Sequence, residues 1–380
     1  MPEQDSNGSE QIRICRVMGT YPTDTRPGIG LPEYYMFVHI ADPSLGITRL
    51  RRGRPLPPPD NVRLLRLRYP DAAISNVSGL RRLWALAFKT IGYITFWLLS
   101  LPYMLRFRPR IVHIHSPMPM LHGLFGKYVL GAKFFITFHG TDVNHLPRSR
   151  ILRALVRRAD MVCYVSTAMQ KTVEDAVPPE RLLYTPNGVD TAAFPPGNDD
   201  RAQRVLMVGS LRWQKGYPDA LAAFAKFKEH RPDWGLDIVG VGPLGEELET
   251  LARELNPEGS VRFLGMRSRE QVAKLMRESK LFLLSSVSEG FPKVLLEAAA
   301  SGLPIVTTDV GSCRDLAEDG VGIAVQAGDS EAIATALESM AADEELWRSS
   351  ARRGPDVAKE HSWGATAKVL HEAYAEALSR

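Results

Sequence analysis

Residues 285–304, SSVSEGFPKVLLEAAASGLP, combine two acids, a turn and a helix start in a spacing suited to a charged ligand. An apolar run ends at Ser285–Ser286, and Ser288, Glu289 and Gly290 then make a turn. Pro292 suits the first position of a helix, which KVLLEAAASG continues to Gly302. A helix start just past the carboxyl end of a strand offers its amides to a phosphate or diphosphate. Glu289 lies on the approach loop and Glu297 inside the helix, with seven residues between them. Two acids so placed can face the two ends of one extended ligand.

Three further stretches carry candidate groups. VGSLRWQKGYPDALAAF (208–224) reads as a strand, a polar loop and a helix, and its Arg212 and Lys215 are placed to neutralise a diphosphate leaving group. TFHGTDVNHL (137–146) puts His139 at a strand tip, with Asp142 near enough to orient neighbours or meet an acceptor. In RPGIG (26–30), Gly28 and Gly30 let the backbone approach an anion closely.

These groups need a scaffold, and the chain supplies alternating strands and helices. Strands are expected in 11–20, 110–116, 133–142 and 160–166, a short strand leaving into a turn in 181–190, and strands again in 204–210, 235–242, 260–265, 280–286 and 303–310. Helical stretches between them argue for parallel sheets covered on both faces. The pattern restarts after FPPGNDD (194–200), and 380 residues suffice for two domains. A last amphipathic helix is expected at 366–378, while 1–10 reads as a polar lead-in without a secretory signal. Three scattered cysteines, Cys15, Cys163 and Cys313, argue against a disulfide framework or a zinc site and fit a reducing compartment.

Charge is uneven. From Arg49 to Arg110 there are 13 Lys/Arg against two acids, Asp60 and Asp71, a face that prefers an anionic partner. The apolar segment 83–105, LWALAFKTIGYITFWLLSLPYML, approaches the length of a bilayer span, about 20 residues. Lys89 interrupts it, Pro102 sits near its end, and a strand of the first sheet follows directly. The expectation is an in-plane helix whose Tyr93, Phe96 and Trp97 touch lipid while flanking arginines meet anionic headgroups. The alternative is a helix covering the sheet.

EGFPKVLLEAAASG resembles the acidic motif of the large retaining glycosyltransferase family 4: a Glu, seven residues and a second Glu. The resemblance is dense over 180–325, where TPNGVD (185–190) also fits with Asn187 and Gly188 in a tight turn, and thinner over 110–170. It implies an α/β chain of GT-B fold, two Rossmann-like doubly wound domains facing across a cleft. The N-terminal, acceptor-side domain would span 1–195 and the nucleotide-sugar domain 196–362, with helix 363–380 packing back on the first. HSW (361–363) before that helix is similar to the family's FSW.

The resemblance also implies roles. Glu297 would bond the ribose hydroxyls and Glu289 would face the transferred sugar. Amides around Gly290, Phe291, Lys293, Val294 and Leu295 would hold sugar hydroxyls and diphosphate. Lys215 and an arginine would grip the donor phosphates; the family's arginine directly after the strand glycine is Ser210 here, and Arg212 would substitute. His139 would contact the donor sugar, and the loop with Gly28 and Gly30 the diphosphate or the acceptor. SVRFLGMRS (260–268) would meet the base through backbone around Gly265, Met266 and Arg267.

The expected reaction is glycosyl transfer with retention, with a nucleotide-diphosphate sugar as co-substrate and no other cofactor. No metal is expected, since no DxD-type carboxylate cluster is present. The acceptor would be a saccharide or lipid-linked saccharide in polysaccharide or glycolipid synthesis. The place would be cytoplasmic, at an anionic inner membrane face, with no nucleic-acid partner. Two other readings stay open: a same-fold epimerase or phosphorylase, and a non-catalytic nucleotide-binding scaffold. A hydride-transfer enzyme is disfavoured, because no GxGxxG joins a strand to a helix.

Overall fold

The computed structural model describes residues 11–19, 21–23, 31–50, 53–68, 79–139, 141–256, 258–289 and 292–380. The sequence-derived candidates Gly28, Gly30, Gly290 and Phe291 lie outside the described residues. The chain divides into two compact units: Met1–Val165, Met169–Thr185 and Thr366–Arg380 form one, Ser166–Ala168 and Pro186–Ala365 the other.

The first unit is built on seven parallel strands: β1 Ile14–Met18, β2 Ser44–Arg49, β3 Val62–Leu67, β4 Ile111–His115, β5 Lys133–Phe138, β6 Met161–Tyr164 and β7 Leu182–Tyr184. Their order is β3-β2-β1-β4-β5-β6-β7, so the order reverses between β1 and β4. The central strands ICRVM and IVHIH are buried along their whole length, as strands covered by helices on both faces must be. Val17, Ile47, Val112, Ile114, Phe134 and Ile136 form the core. Sequence reading missed β2 and β3. SLGITR contains a glycine, and edge-strand VRLLRL carries two arginines, so neither reads as an apolar run.

Helix α1 (Leu31–His39) follows β1, and α2 (Gly79–Phe107) lies over β2 and β3. The orientation of α2 corrects the expectation that Phe96 touches lipid, while Tyr93 and Trp97 are partly exposed. Phe96, Ser100 and Met104, spaced four apart, form its buried face, and Phe96 is only 5% exposed. Tyr93 and Trp97 line a narrow apolar slot with Met18, Pro119 and His122. The other face carries Trp84, Phe88, Ile91, Ile94, Leu98, Leu99 and Leu105 exposed, with Trp84 at 76%. Among the described residues, no helix is long and apolar enough to cross a membrane.

The second unit repeats the plan with six parallel strands: β8 Ala202–Val208, β9 Gly235–Val239, β10 Val261–Gly265, β11 Ser279–Leu284, β12 Ile305–Thr308 and β13 Gly322–Val325. The order β10-β9-β8-β11-β12-β13 again follows the Rossmann plan, reversing between β8 and β11. The last strand, GIAV, is short and only partly buried, and the sequence reading passed over it. Buried Arg201 ties this unit together. It donates to the carbonyls of Met276, Ser279, Ser301 and Gly302, the C-terminal ends of helices Arg269–Glu278 and Lys293–Ala300. Helix C-termini carry orphan carbonyls and partial negative charge, so one guanidinium satisfies both.

Where the chain leaves the second unit, Val189 bridges Ser362 and accepts the Trp363 amide. A Cβ on Gly188 would lie 2.4 Å from that amide nitrogen, so only glycine fits. Ser362 Oγ accepts the Ala365 amide and starts helix Trp363–Ser379. From Thr366 this helix belongs to the first unit, where Leu370 and Tyr374 are buried.

Candidate functional site

In doubly wound sheets, ligands bind at the carboxyl edge where strand order reverses. In the second unit that edge carries the loops after β8 and β11, and the two are stitched together. Ser285 Oγ donates to the Lys215 carbonyl at 2.9 Å, and the Val287 amide to the Gln214 carbonyl at 2.9 Å. Gly216 permits this approach. Its φ is +59°, and a Cβ there would sit 2.0 Å from the Ser285 carbonyl oxygen.

The stitching brings Lys215 and Glu289 together. Lys215 Nζ donates to Glu289 Oε1 at 2.5 Å, and Ser286 Oγ donates to the same oxygen at 2.6 Å. Thr308 Oγ1 in turn holds the Ser286 carbonyl at 2.5 Å. The ion pair is partly open to solvent, so an arriving anion can compete for the ammonium. Arg212 is exposed in the same loop, with no side-chain partner among the described residues, and does not join the pair. Ser286 and Thr308 escaped sequence reading because a serine or threonine at a strand end is an ordinary terminator.

Helix Lys293–Ala300 starts beside this edge. Pro292 stands one position earlier than expected, as the N-cap, and contributes no side-chain cap. The Leu295 amide donates to the Pro292 carbonyl at 3.0 Å, and the Leu295 side chain is in the core. Lys293 and Val294 stay partly exposed on the first turn. Glu297, half-buried one turn on, has its carboxyl pushed up to about 7 by loss of hydration, against the opposing charges of Arg269 and Lys293. No contact joins Glu297 to the Lys215–Glu289 pair. After β10, Gly265 has φ +65° and accepts the Gly240 amide, leaving the Met266 side chain 73% exposed.

In the first unit the corresponding edge is made of imidazoles. His115 ends β4, and His139 follows β5. The register pairs His115 with Thr137, so the residues two along, on the same face, meet diagonally. His115 Nδ1 and His139 Nε2 are 3.1 Å apart, and their rings stack at 5.3 Å. His113 bonds Thr137 Oγ1 at 2.7 Å and Tyr374 of the last helix at 2.6 Å. The Asp142 carboxylate accepts the His139 backbone amide at 3.1 Å, which orients the turn. Burial holds His115 well below the ordinary imidazole range, with His113, His139 and Arg16 adding to the effect.

Glu33, in the first turn of α1, places Oε1 3.8 Å from His139 Nε2. Glu33, His115 and His139 offer three ligand atoms within 4.8 Å of one another, a spacing a metal ion could bridge. Metal-ligating imidazoles nearly always donate their second nitrogen to a partner, however, and His115 Nε2 has none. Sequence reading found His139 but missed Glu33, His115 and Tyr374. The available signal was the alternation His-Ile-His in a buried strand, which puts two polar rings on one face.

Comparison with known proteins gives consistent matches. Residues 46–193 match the family model for Glycosyltransferase Family 4, and residues 189–356 that for Glycosyl transferases group 1. The chain is 30% identical over 223 residues to a D-inositol 3-phosphate glycosyltransferase of Corynebacterium kroppenstedtii, covering 53% of this chain and 49% of that protein. It is 30% identical over 262 residues to N-acetyl-alpha-D-glucosaminyl L-malate synthase of Bacillus anthracis, covering 64% of this chain and 68% of that one. The chain thus spans about half the length of the first relative and two thirds of the second. Anabaena HepE, solved in complex with UDP, superposes with a TM-score of 0.75 at 18% identity over 96% of this chain and 100% of its own, which shows a shared fold.

Proposed function

Because this chain belongs to glycosyltransferase family 4, with its GT-B fold, we propose that it moves a sugar from a nucleotide-diphosphate sugar to a saccharide or lipid-linked acceptor, with retention at the anomeric carbon. The observation that carries this reading is the Lys215–Glu289 pair, held by two stitched loops at the point where the second sheet reverses its order. In the free protein Lys215 neutralises Glu289. A donor diphosphate offers the ammonium a second anion, and Glu289, released, stabilises the positive charge that grows on the sugar ring. The bond from the anomeric carbon to the phosphate oxygen breaks as the acceptor oxygen bonds the same face. The acceptor proton goes to the departing diphosphate. Glu297 receives the ribose hydroxyls, and backbone around Gly265 and Met266 meets the base.

Thermal shift with UDP-, GDP-, ADP- and dTDP-sugars tests the donor, since a ligand held by the folded state raises the melting temperature by mass action. One of these is expected to raise it in the wild type and to lose that effect in Lys215→Met. A flat response to all four would end the reading.

The acceptor is proposed to lie at an anionic membrane face on the cytoplasmic side. Support comes from the apolar stripe Trp84, Phe88, Ile91, Leu98 and Leu105 on α2 and from the basic excess of the surrounding sequence. Co-sedimentation with phosphatidylglycerol vesicles is expected to fall at least tenfold when Phe88, Ile91 and Leu98 become Glu, using the linkage of about 0.8 kcal/mol per buried CH₂. Equal sedimentation by variant and wild type would remove the membrane from the proposal.

A further inference from the structure

Glu33 is a buried acid with an unpartnered oxygen. It is 8% exposed, its Oε2 has no hydrogen-bond partner, and the nearest cation-capable atom is His139 Nε2, 3.8 Å from Oε1. A buried acid oxygen without a donor is costly, and its place in the fold calls for an explanation.

We infer that Glu33 and His115 are positioning residues that fix the tautomer and orientation of the His139 ring, with Nε2–H directed inward and Nδ1 left as the acceptor for a sugar hydroxyl. The inference deepens the proposed function, because it rests on His139 meeting the donor sugar.

Three observations support it. First, a proton is needed on the shared nitrogen–nitrogen contact of 3.1 Å, and two protonations are possible. If His115 Nδ1 held the proton, the lone pair of His139 Nε2 would face both that proton and the Glu33 carboxylate, and Glu33 would have no positive group before it. With the proton on His139 Nε2, the N–H donates to His115 Nδ1 at 3.1 Å and brings the positive end of that bond near Glu33 Oε1, 3.8 Å from the nitrogen, an electrostatic contact rather than a hydrogen bond. Second, His115 is kept neutral, as an acceptor must be. Burial lowers its affinity for a second proton, and so do the neighbouring His113 and His139 and the Arg16 guanidinium. Third, the inner ring cannot swing away. His113 stacks on His115 at 4.5 Å and is itself fixed at both nitrogens, by Thr137 Oγ1 and by Tyr374. The C-terminal helix therefore sets the His139 ring through two stacked imidazoles. Asp142 fixes the same residue's backbone, so ring and main chain are held separately.

A metal ion in the Glu33–His115–His139 group is the competing account; both accounts leave the second nitrogen of His115 unpartnered, and the zinc content of the purified protein decides between them.

The test is long-range ¹H–¹⁵N correlation of the imidazoles in wild type, Glu33→Leu and Tyr374→Phe, paired with turnover of the donor selected by the thermal-shift panel. Leucine is close in size to the unbonded carboxylate it replaces, and phenylalanine keeps the packing of Tyr374, so folded variants are expected; Glu33→Gln replaces the first if it fails to fold. The wild-type His139 should show a single Nε2–H tautomer. In Glu33→Leu both tautomers should appear, and turnover should fall by roughly tenfold to a hundredfold, the usual cost of losing an orienting group around a functional imidazole. Tyr374→Phe should give a smaller change in the same direction. Nucleotide affinity should stay within about twofold in both variants, because its groups are on the other sheet.

An Nδ1–H tautomer in the wild type, or an unchanged tautomer and rate in Glu33→Leu, would overturn the inference. So would stoichiometric zinc in protein purified without chelator. If the wild type turns over no donor but the tautomer responds to Glu33→Leu, the proposed function fails and the positioning stands; if turnover is present and the tautomer is indifferent, the reverse holds.

Discussion

At the edge of the second sheet, Lys215 and Glu289 sit on loops, meet at 2.5 Å and stay partly open to solvent. At the matching edge of the first sheet, His115 and His139 sit at strand tips, meet at 3.1 Å and back onto a buried carboxylate. The strand orders agree but for a seventh strand in the first sheet; the chemistry does not. A pair of opposite charges on loops can exchange one partner for a ligand with little rearrangement. Imidazoles held by strands, stacking and a distant tyrosine cannot exchange partners and can only present a fixed surface. The second edge is suited to capturing an anion, and the first to presenting a fixed hydrogen-bonding surface.

Replacing Lys215 by Met should give the largest effect. Removing one preorganised charge opposite a developing anion typically lowers turnover by about 10²–10³-fold, or roughly 3–4 kcal/mol. Steady-state release of the nucleoside diphosphate measures it, and a weakened nucleotide Kd should accompany the loss. Turnover within about tenfold of wild type would place anion capture elsewhere and dissolve the contrast between the two edges.

The contrast extends to two buried arginines. Arg201 in the second unit gives its guanidinium to four helix-end carbonyls. Arg16 in the first unit is fully buried, yet its Nε and Nη2 have no hydrogen-bond partner; Nη1 reaches Ser44 Oγ at 3.5 Å, and the guanidinium lies 5.0 Å from the Phe37 ring. Burial depresses the Arg201 guanidinium to about 10, which still leaves it charged at neutral pH. Arg201→Met should orphan those carbonyls and destabilise the second sheet by about 3 kcal/mol, at roughly 1 kcal/mol for each of several lost bonds. Arg16→Met should cost the first sheet far less than Arg201→Met costs the second, because the buried charge that disappears holds one long hydrogen bond and a contact with the Phe37 ring. Amide hydrogen exchange, read separately in β4 and β11, distinguishes the two. Equal destabilisation would mean that Arg16 is structurally as well satisfied as Arg201. A more stable Arg16→Met with reduced turnover would show that the first unit gives up stability to keep His113 and His115 neutral, as the lowered proton affinity of both rings implies.

The two edges also differed in how far the sequence revealed them. The second edge was legible because its groups are local: Lys215 lies seven residues beyond Val208, Glu289 five beyond Leu284, and strand, turn and helix signals run in order. The first edge draws on Glu33, His115, His139 and Tyr374, which come from four separate stretches and meet only through strand register and the return of the last helix. No spacing rule connects residues 33 and 374. The central strands of both sheets were readable from continuous apolar runs, whereas β2, β3 and β13 were not, since a glycine, exposed arginines and brevity blur the pattern. On α2 the apolar residues go right round the helix, so composition identified the element but could not tell Phe96, which is buried, from Phe88, which is exposed.

Glu297 gives the smallest of the expected effects, and its sign is informative. Its carboxyl is raised from 4.5 to about 7 in the folded chain. Between those values the unfolded chain has lost a proton that the folded chain retains, so this residue's contribution to stability falls as pH rises from about 4.5 through about 7. Ligand binding should run the other way. If ribose hydroxyls donate to the ionised carboxylate, only that form binds well, and it grows from roughly a tenth of the protein at pH 6 to roughly nine tenths at pH 8. Affinity should therefore rise by close to tenfold over that interval, about 1.4 kcal/mol. A nucleotide-diphosphate sugar is the correct probe for calorimetry, because its phosphates carry no proton that titrates there, whereas the terminal phosphate of a free nucleoside diphosphate does. Glu297→Gln should flatten both trends. A wild-type affinity that is level from pH 6 to 8 would take Glu297 out of the nucleotide site.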